Sequence, residues 1–127
     1  MRTTGVEPEF ARVEDPVAEA AVRARAFSTM RGTTAVIAPV ALHAAITDAL
    51  RDVGAVADSP EALDAPVGVF DAMDAKGLEF DHVVVVEPAA LVAADRAGLR
   101  MLYVTLTRAT QDLAVVHTLP LPEALRA

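Results

Sequence analysis

His82-Val83-Val84-Val85-Val86 is the stretch on which the fold turns. Four successive β-branched apolar residues leave no polar face, which suits a strand covered on both sides, as in a parallel α/β sheet. A strand with one wet face would alternate with polar residues instead. Upstream, Val67 to Phe70 is a second apolar run, and residues 71–81 between the two just suffice for a short crossover between parallel strands. Residues 33–38, closed by Pro39, read as another buried strand, and Leu113 to Val116 as a fourth.

Helical signals fall between these runs. Asp15 and Pro16 are an N-cap and a first-turn proline for a helix over residues 17–30, with Gly32 as its stop. Leu42, Ala45, Ile46, Ala49 and Leu50 recur at helical spacing up to Gly54. Leu99, Leu102, Tyr103 and Leu106 share one stripe and predict a helix over residues 97–109. Residues 1–15 read as an extended stretch leading into the domain, 56–66 as an acidic loop and 118–127 as a proline-rich tail. Alternating strands and helices predict one α/β domain across residues 1–127, or a fragment of one, with a mostly parallel sheet.

Composition narrows the function classes. Hydrophobic residues make up 54% of the chain, yet aromatics only 4% and tryptophan is absent, so valine, leucine and isoleucine must build the core. A net charge of −7 argues against a free nucleic-acid-binding module, whose affinity would come largely from neutralised phosphates. The absence of cysteine excludes disulfides and thiolate metal sites and suits a reducing cytoplasm. The charged start has no apolar core of a signal peptide, and no apolar run approaches a membrane span. The expected location is therefore cytoplasmic, with no membrane partner. His43, His82 and His117 are scattered without metal-ligand spacing and read as structural or exposed residues.

Two stretches are more specific than the fold. The first is Ala75-Lys76-Gly77-Leu78-Glu79-Phe80-Asp81, running directly into the valine strand. The second is Leu102-Tyr103-Val104-Thr105-Leu106-Thr107-Arg108-Ala109-Thr110, followed by Gln111-Asp112-Leu113 and another strand. In this order they resemble motifs V and VI of UvrD/Rep-type superfamily 1 helicases, over roughly residues 67–117. Val83-Val84-Val85-Val86-Glu87-Pro88, Thr110-Gln111 and Val115-Val116-His117 look closer to the HelD-type branch, the RNA-polymerase-associated motor ATPases.

The resemblance implies a RecA-like domain of the P-loop NTPase type, the C-terminal half of a helicase-like ATPase. It implies an arginine finger at Arg108, an arginine fork that meets the negative charge spreading over a transferring phosphoryl group. As a bare helix-end residue, Arg108 would only stabilise the helix dipole. By the same resemblance Glu79 accepts hydrogen bonds from the ribose hydroxyls, where otherwise it is a surface carboxylate. Gly77 fits a turn with a close backbone approach, or a plain turn glycine. Lys76 stands near phosphate or pairs with an acid of the first RecA-like domain, and the sequence leaves both open.

The departures from the family matter as much. No G-x-x-x-x-G-K-[ST] sequence occurs, so nothing in the chain cradles the β- and γ-phosphates. ATP and Mg²⁺ would be held mainly by a separate N-terminal RecA-like domain, and this chain alone is not expected to turn over ATP. Translocating members carry Thr-x-His before the Lys-Gly-Leu-Glu core, contacting single-stranded DNA, and the matching positions here are Asp71 and Met73. An anionic Asp71 repels phosphate and Met73 cannot replace an imidazole donor. That weakens a nucleic-acid role and agrees with work on RNA polymerase. A non-catalytic module binding RNA polymerase or its parent ATPase is the alternative. A flavodoxin-like small-molecule binder is disfavoured, because no glycine-rich phosphate loop follows a strand.

Overall fold

The computed structural model describes residues 8–75, 78–93 and 109–121. Lys76, Gly77, Arg108 and the expected helix over residues 97–108 lie outside the described residues. Among the described residues six strands form one sheet: β1 (Pro8–Arg12), β2 (Thr34–Ile37), β3 (Ala55–Ala57), β4 (Val67–Phe70), β5 (Phe80–Val86) and β6 (Ala109–His117). Their spatial order is β1-β6-β5-β2-β4-β3, and every neighbouring pair is parallel. The parallel α/β class expected from the valine run is the class observed.

The valine strand sits near the middle of the sheet, between β2 and β6, and its side chains alternate between two cores. Val83 and Val85 join Ala35, Ile37, Phe70, Phe80, Leu91, Leu113 and Val115 on one face. Val84 and Val86 join Val36, Ile46, Leu50, Val67, Val69 and Val116 on the other. All four valines are fully buried. Each contributes roughly 1.5–3 kcal/mol of transfer free energy, so neither face could be polar at small cost.

The helices α1 (Pro16–Ser28) and α2 (His43–Ala49) cover the Val84/Val86 face. α1 begins where the sequence places it, since the Asp15 carboxylate accepts from the Ala18 backbone N–H at 3.1 Å and Pro16 opens the first turn. It approaches the sheet through Ala20, Ala21 and Ala24, whose small side chains let helix and sheet backbones come close. α2 is shorter than the hydrophobic spacing suggests. It is flanked by 3₁₀ turns at Val40–Leu42 and Arg51–Val53, and Gly54 ends the unit in the left-handed conformation at φ 80°. On the opposite face lie the single-turn α3 (Ala72–Ala75) and α4 (Pro88–Ala93).

Four expectations change. The extended lead-in forms a real edge strand over Pro8–Arg12, paired with Leu113 to His117 of β6, where a proline at the strand's first residue is tolerated. The expected loop over residues 56–66 instead holds β3 and a 3₁₀ turn at Pro60–Leu63, capped by Ser59 Oγ accepting from Glu61 N at 3.1 Å. Ala109, expected to end a helix, opens β6, because it is buried and pairs with Phe80 on β5. The helix α4 was not foreseen, although Pro88 at its first position is a start signal.

Candidate functional site

The sequence-predicted residues that lie among the described ones divide between the two ends of the sheet's strands. Strand direction decides which goes where. Ile37 pairs with Phe70, the end of β4, whereas Thr34 pairs with His82, near the start of β5. Asp71 and Met73 therefore sit at the C-terminal edge, and Glu79 at the N-terminal edge. Glu79 is eight residues from Asp71 and six from Met73 in the sequence, yet the length of the strands separates them, about 3.3 Å per residue.

At the N-terminal edge, Glu79 is exposed and immediately precedes Phe80. Phe80 is the register partner of Ala109, the residue that follows Arg108 in the chain. The next paired position is His82 with Asp112, so β6 spends one more residue than β5 and the ladder is irregular here. Such bulges re-aim side chains, and they cluster at sheet edges and next to active sites.

Asp81 lies within that irregularity. Its Oδ2 accepts from the Thr33 backbone N–H at 2.8 Å and from the Thr33 hydroxyl at 3.2 Å. Its Oδ1 accepts from the Thr110 hydroxyl at 3.3 Å, and its own N–H donates to Thr33 Oγ1 at 3.1 Å. The Thr33 backbone N–H, then the hydroxyls of Thr33 and Thr110, hold the Asp81 carboxyl below the usual carboxylate range against partial desolvation. One residue on, His82 is buried. Its Nδ1 lies 2.7 Å from Asp112 Oδ2, its Nε2 lies 2.8 Å from the Arg31 carbonyl, and Phe27 stacks on the ring at 5.3 Å. Arg31, Gly32, Asp81, His82 and Asp112 line an open cleft of about 560 Å³.

The C-terminal edge is different in character. Asp71 is half-buried and its Oδ1 accepts from the Asp74 N–H at 2.7 Å, so the carboxylate is engaged in capping the α3 turn. Met73 is 56% exposed. Desolvation, then the neighbouring Asp71 and Asp58 charges, push the Asp74 carboxyl up. Below them, buried His43 bridges Asp58 Oδ1 at 3.0 Å and the Ala38 carbonyl at 2.9 Å. Asp58 and Asp74 also face a second cleft of about 480 Å³. Glu87, just after β5, adopts φ 52° and its buried carboxylate accepts from the N–H groups of Thr118 and Leu119 at 3.1 and 3.2 Å. Glu87 is a strand-end brace.

Lys76, Gly77 and Arg108 fall outside the described residues. Of the remaining predicted positions, the structure brings Asp71 and Met73 together and leaves Glu79 at the other edge. All three histidines are buried and hydrogen-bonded, His117 through Nδ1 to the Leu119 carbonyl at 2.8 Å. Sequence reading missed the Thr33–Asp81–Thr110 and His82–Asp112 contacts. Thr33 and Asp81 are 48 positions apart, and only the sheet order makes them neighbours. Among the described residues, no group of three or more histidines and carboxylates is placed to hold a metal ion. Among them, too, no helix is long and apolar enough to cross a membrane.

Comparison with known proteins points in one direction. Residues 69–116 match the family model of the UvrD-like helicase C-terminal domain. The fold matches the crystal structure of the C-terminal domain of a possible DNA helicase from Lactobacillus plantarum WCFS1, with a TM-score of 0.69 and 28% identity. That match covers 97% of this chain and 79% of the other. Among the curated proteins, none matches. In fold over nearly its whole length, and in sequence over residues 69–116, the chain is similar to helicase C-terminal domains of the UvrD-like kind.

Proposed function

We propose that the chain is the second RecA-like half of a superfamily 1 helicase-type ATPase, acting on ATP bound by a separate N-terminal RecA-like domain. In this reading Arg108 is the arginine finger and Glu79 accepts hydrogen bonds from the ribose. Gly77 gives close backbone approach, and Lys76 lies near the phosphates or an acid of the partner domain. ATP and Mg²⁺ are held mainly by that partner. Closure of the two domains brings the finger to the γ-phosphate, and hydrolysis reopens the seam.

The observation that carries this reading is the pairing of Phe80 with Ala109 on adjacent parallel strands. In the sequence Phe80 directly follows Glu79 and Ala109 directly follows Arg108, and this adjacency supports assigning both residues to one site. The C-terminal edge supports the finer HelD-like reading, in which the motor works on RNA polymerase. Asp71, spent on the Asp74 N–H within a group of carboxylates, is a poor contact for a nucleic-acid phosphate.

The test mixes the chain with the matching N-terminal RecA-like half and measures ATP hydrolysis. Arg108→Ala is expected to lower kcat by about 10³–10⁵, the range of arginine fingers, equivalent to roughly 4–7 kcal/mol. A mixture as active with Arg108→Ala as without it would overturn the finger and favour a non-catalytic interaction module.

A further inference from the structure

The N-terminal edge carries a polar clasp that the ATP contacts proposed above leave unexplained. Asp81 joins three chain segments: its own strand β5, the turn before β2 through Thr33, and the start of β6 through Thr110. Room for it is made at Gly32, where an added Cβ would lie 2.4 Å from Asp81 Oδ2 and φ is +110°. The register irregularity between Phe80 and His82 falls where Thr110 meets Asp81. Beneath, His82 ties the same three segments a second time, through the Arg31 carbonyl and Asp112. The Asp81 contacts are exposed, and exposed polar contacts add little to folding stability. Their placement, two residues after Glu79 and two after Arg108, gives them another use.

We propose that Asp81 is a positioning residue for phosphoryl transfer, its carboxylate holding Thr33 and Thr110 so that the segments entering β5 after Glu79 and β6 after Arg108 keep a fixed separation. This rests on the reading of Glu79 and Arg108 given above. Asp81 touches neither nucleotide nor reacting atoms. It acts by removing slack between the ribose contact and the finger, and small misplacements of such groups are costly to rate.

Thr110→Val removes one hydroxyl while keeping a β-branched side chain suited to a strand, and Thr110→Ser restores the hydroxyl. Asp81→Ala removes the three hydrogen bonds that the carboxylate accepts. In the assembly with the N-terminal half, Thr110→Val and Asp81→Ala should lower kcat at least about tenfold, within the roughly hundredfold that an ångström of misplacement costs. KM for ATP should change far less, the melting temperature of Thr110→Val should stay at the wild-type value, and Thr110→Ser should recover kcat. Wild-type kcat in both variants, in an assembly that Arg108→Ala inactivates, overturns the clasp and leaves the finger standing. A kcat loss that follows melting temperature and is not rescued by serine also overturns it, as a merely structural effect. Full activity in Arg108→Ala, or none in the wild-type assembly, removes the underlying reading and the clasp's role with it.

Discussion

Asp81 and Asp74 are two carboxylates with opposite linkage to pH. Hydrogen bonds from Thr33 and Thr110 depress the Asp81 value in the folded chain, so its contribution is fully present above the unfolded carboxylate value. That contribution is lost as pH falls through the folded value. Asp74 is raised, chiefly by desolvation and then by Asp71, so it binds a proton more readily folded than unfolded. Its ionised form costs stability at neutral pH, and that cost disappears on acidification through its folded value. Denaturant unfolding of Asp81→Ala should therefore show a small deficit near pH 7 that shrinks below about pH 4, the ordinary aspartate range. Asp74→Asn should be at least as stable as wild type near neutrality. A deficit of Asp81→Ala that grows on acidification would contradict this assignment.

Elements of the chain differ in how locally they are specified. α1 carries its own instructions: the Asp15 cap, Pro16 in the first turn, Glu19 paired with Arg23 at 2.9 Å, and an alanine face toward the sheet. Asp15→Ala should cost about 0.5–2 kcal/mol by thermal or denaturant unfolding, the range for a lost N-cap. No measurable loss would show that Pro16 and tertiary packing alone set the start. β5 is equally plain, since a run of valines satisfies no single-faced environment. β3 and the 3₁₀ turn after it are the contrary case. Ala55–Ala57 is short and half-buried, and its residues become a strand only because β4 offers Val67 to Val69 beside them. α4 also hid in an alanine-rich stretch with no polar face to reveal a period.

On the scale of the whole molecule, charge and layer order constrain the partners. A chain of net charge −7 has no surplus of cations to release counterions from a nucleic-acid backbone. Fluorescence anisotropy with a single-stranded oligonucleotide at about 150 mM salt should give no binding tighter than about 10⁻⁴ M, the weak end of non-specific affinities. A micromolar, steeply salt-dependent Kd would contradict it and reopen a strand contact at Asp71 and Met73. The two apolar layers leave the sheet's edges, not its faces, as the places for chemistry. Open α/β sheets commonly use the C-terminal edge. Here Glu79 and the Phe80–Ala109 pair lie instead at the N-terminal ends of β5 and β6.

Some of this was decided by sequence alone. The buried parallel strand at His82 to Val86 and the capped α1 follow from local patterns, because burial on two faces and capping act over a few neighbouring positions. Tertiary structure decided the rest. It put Asp71 and Glu79 at opposite edges of one sheet, since a crossover between parallel strands must return to the starting edge. It also joined Thr33, Asp81 and Thr110 in one clasp, a contact among short polar side chains that exists only where β2, β5 and β6 lie side by side.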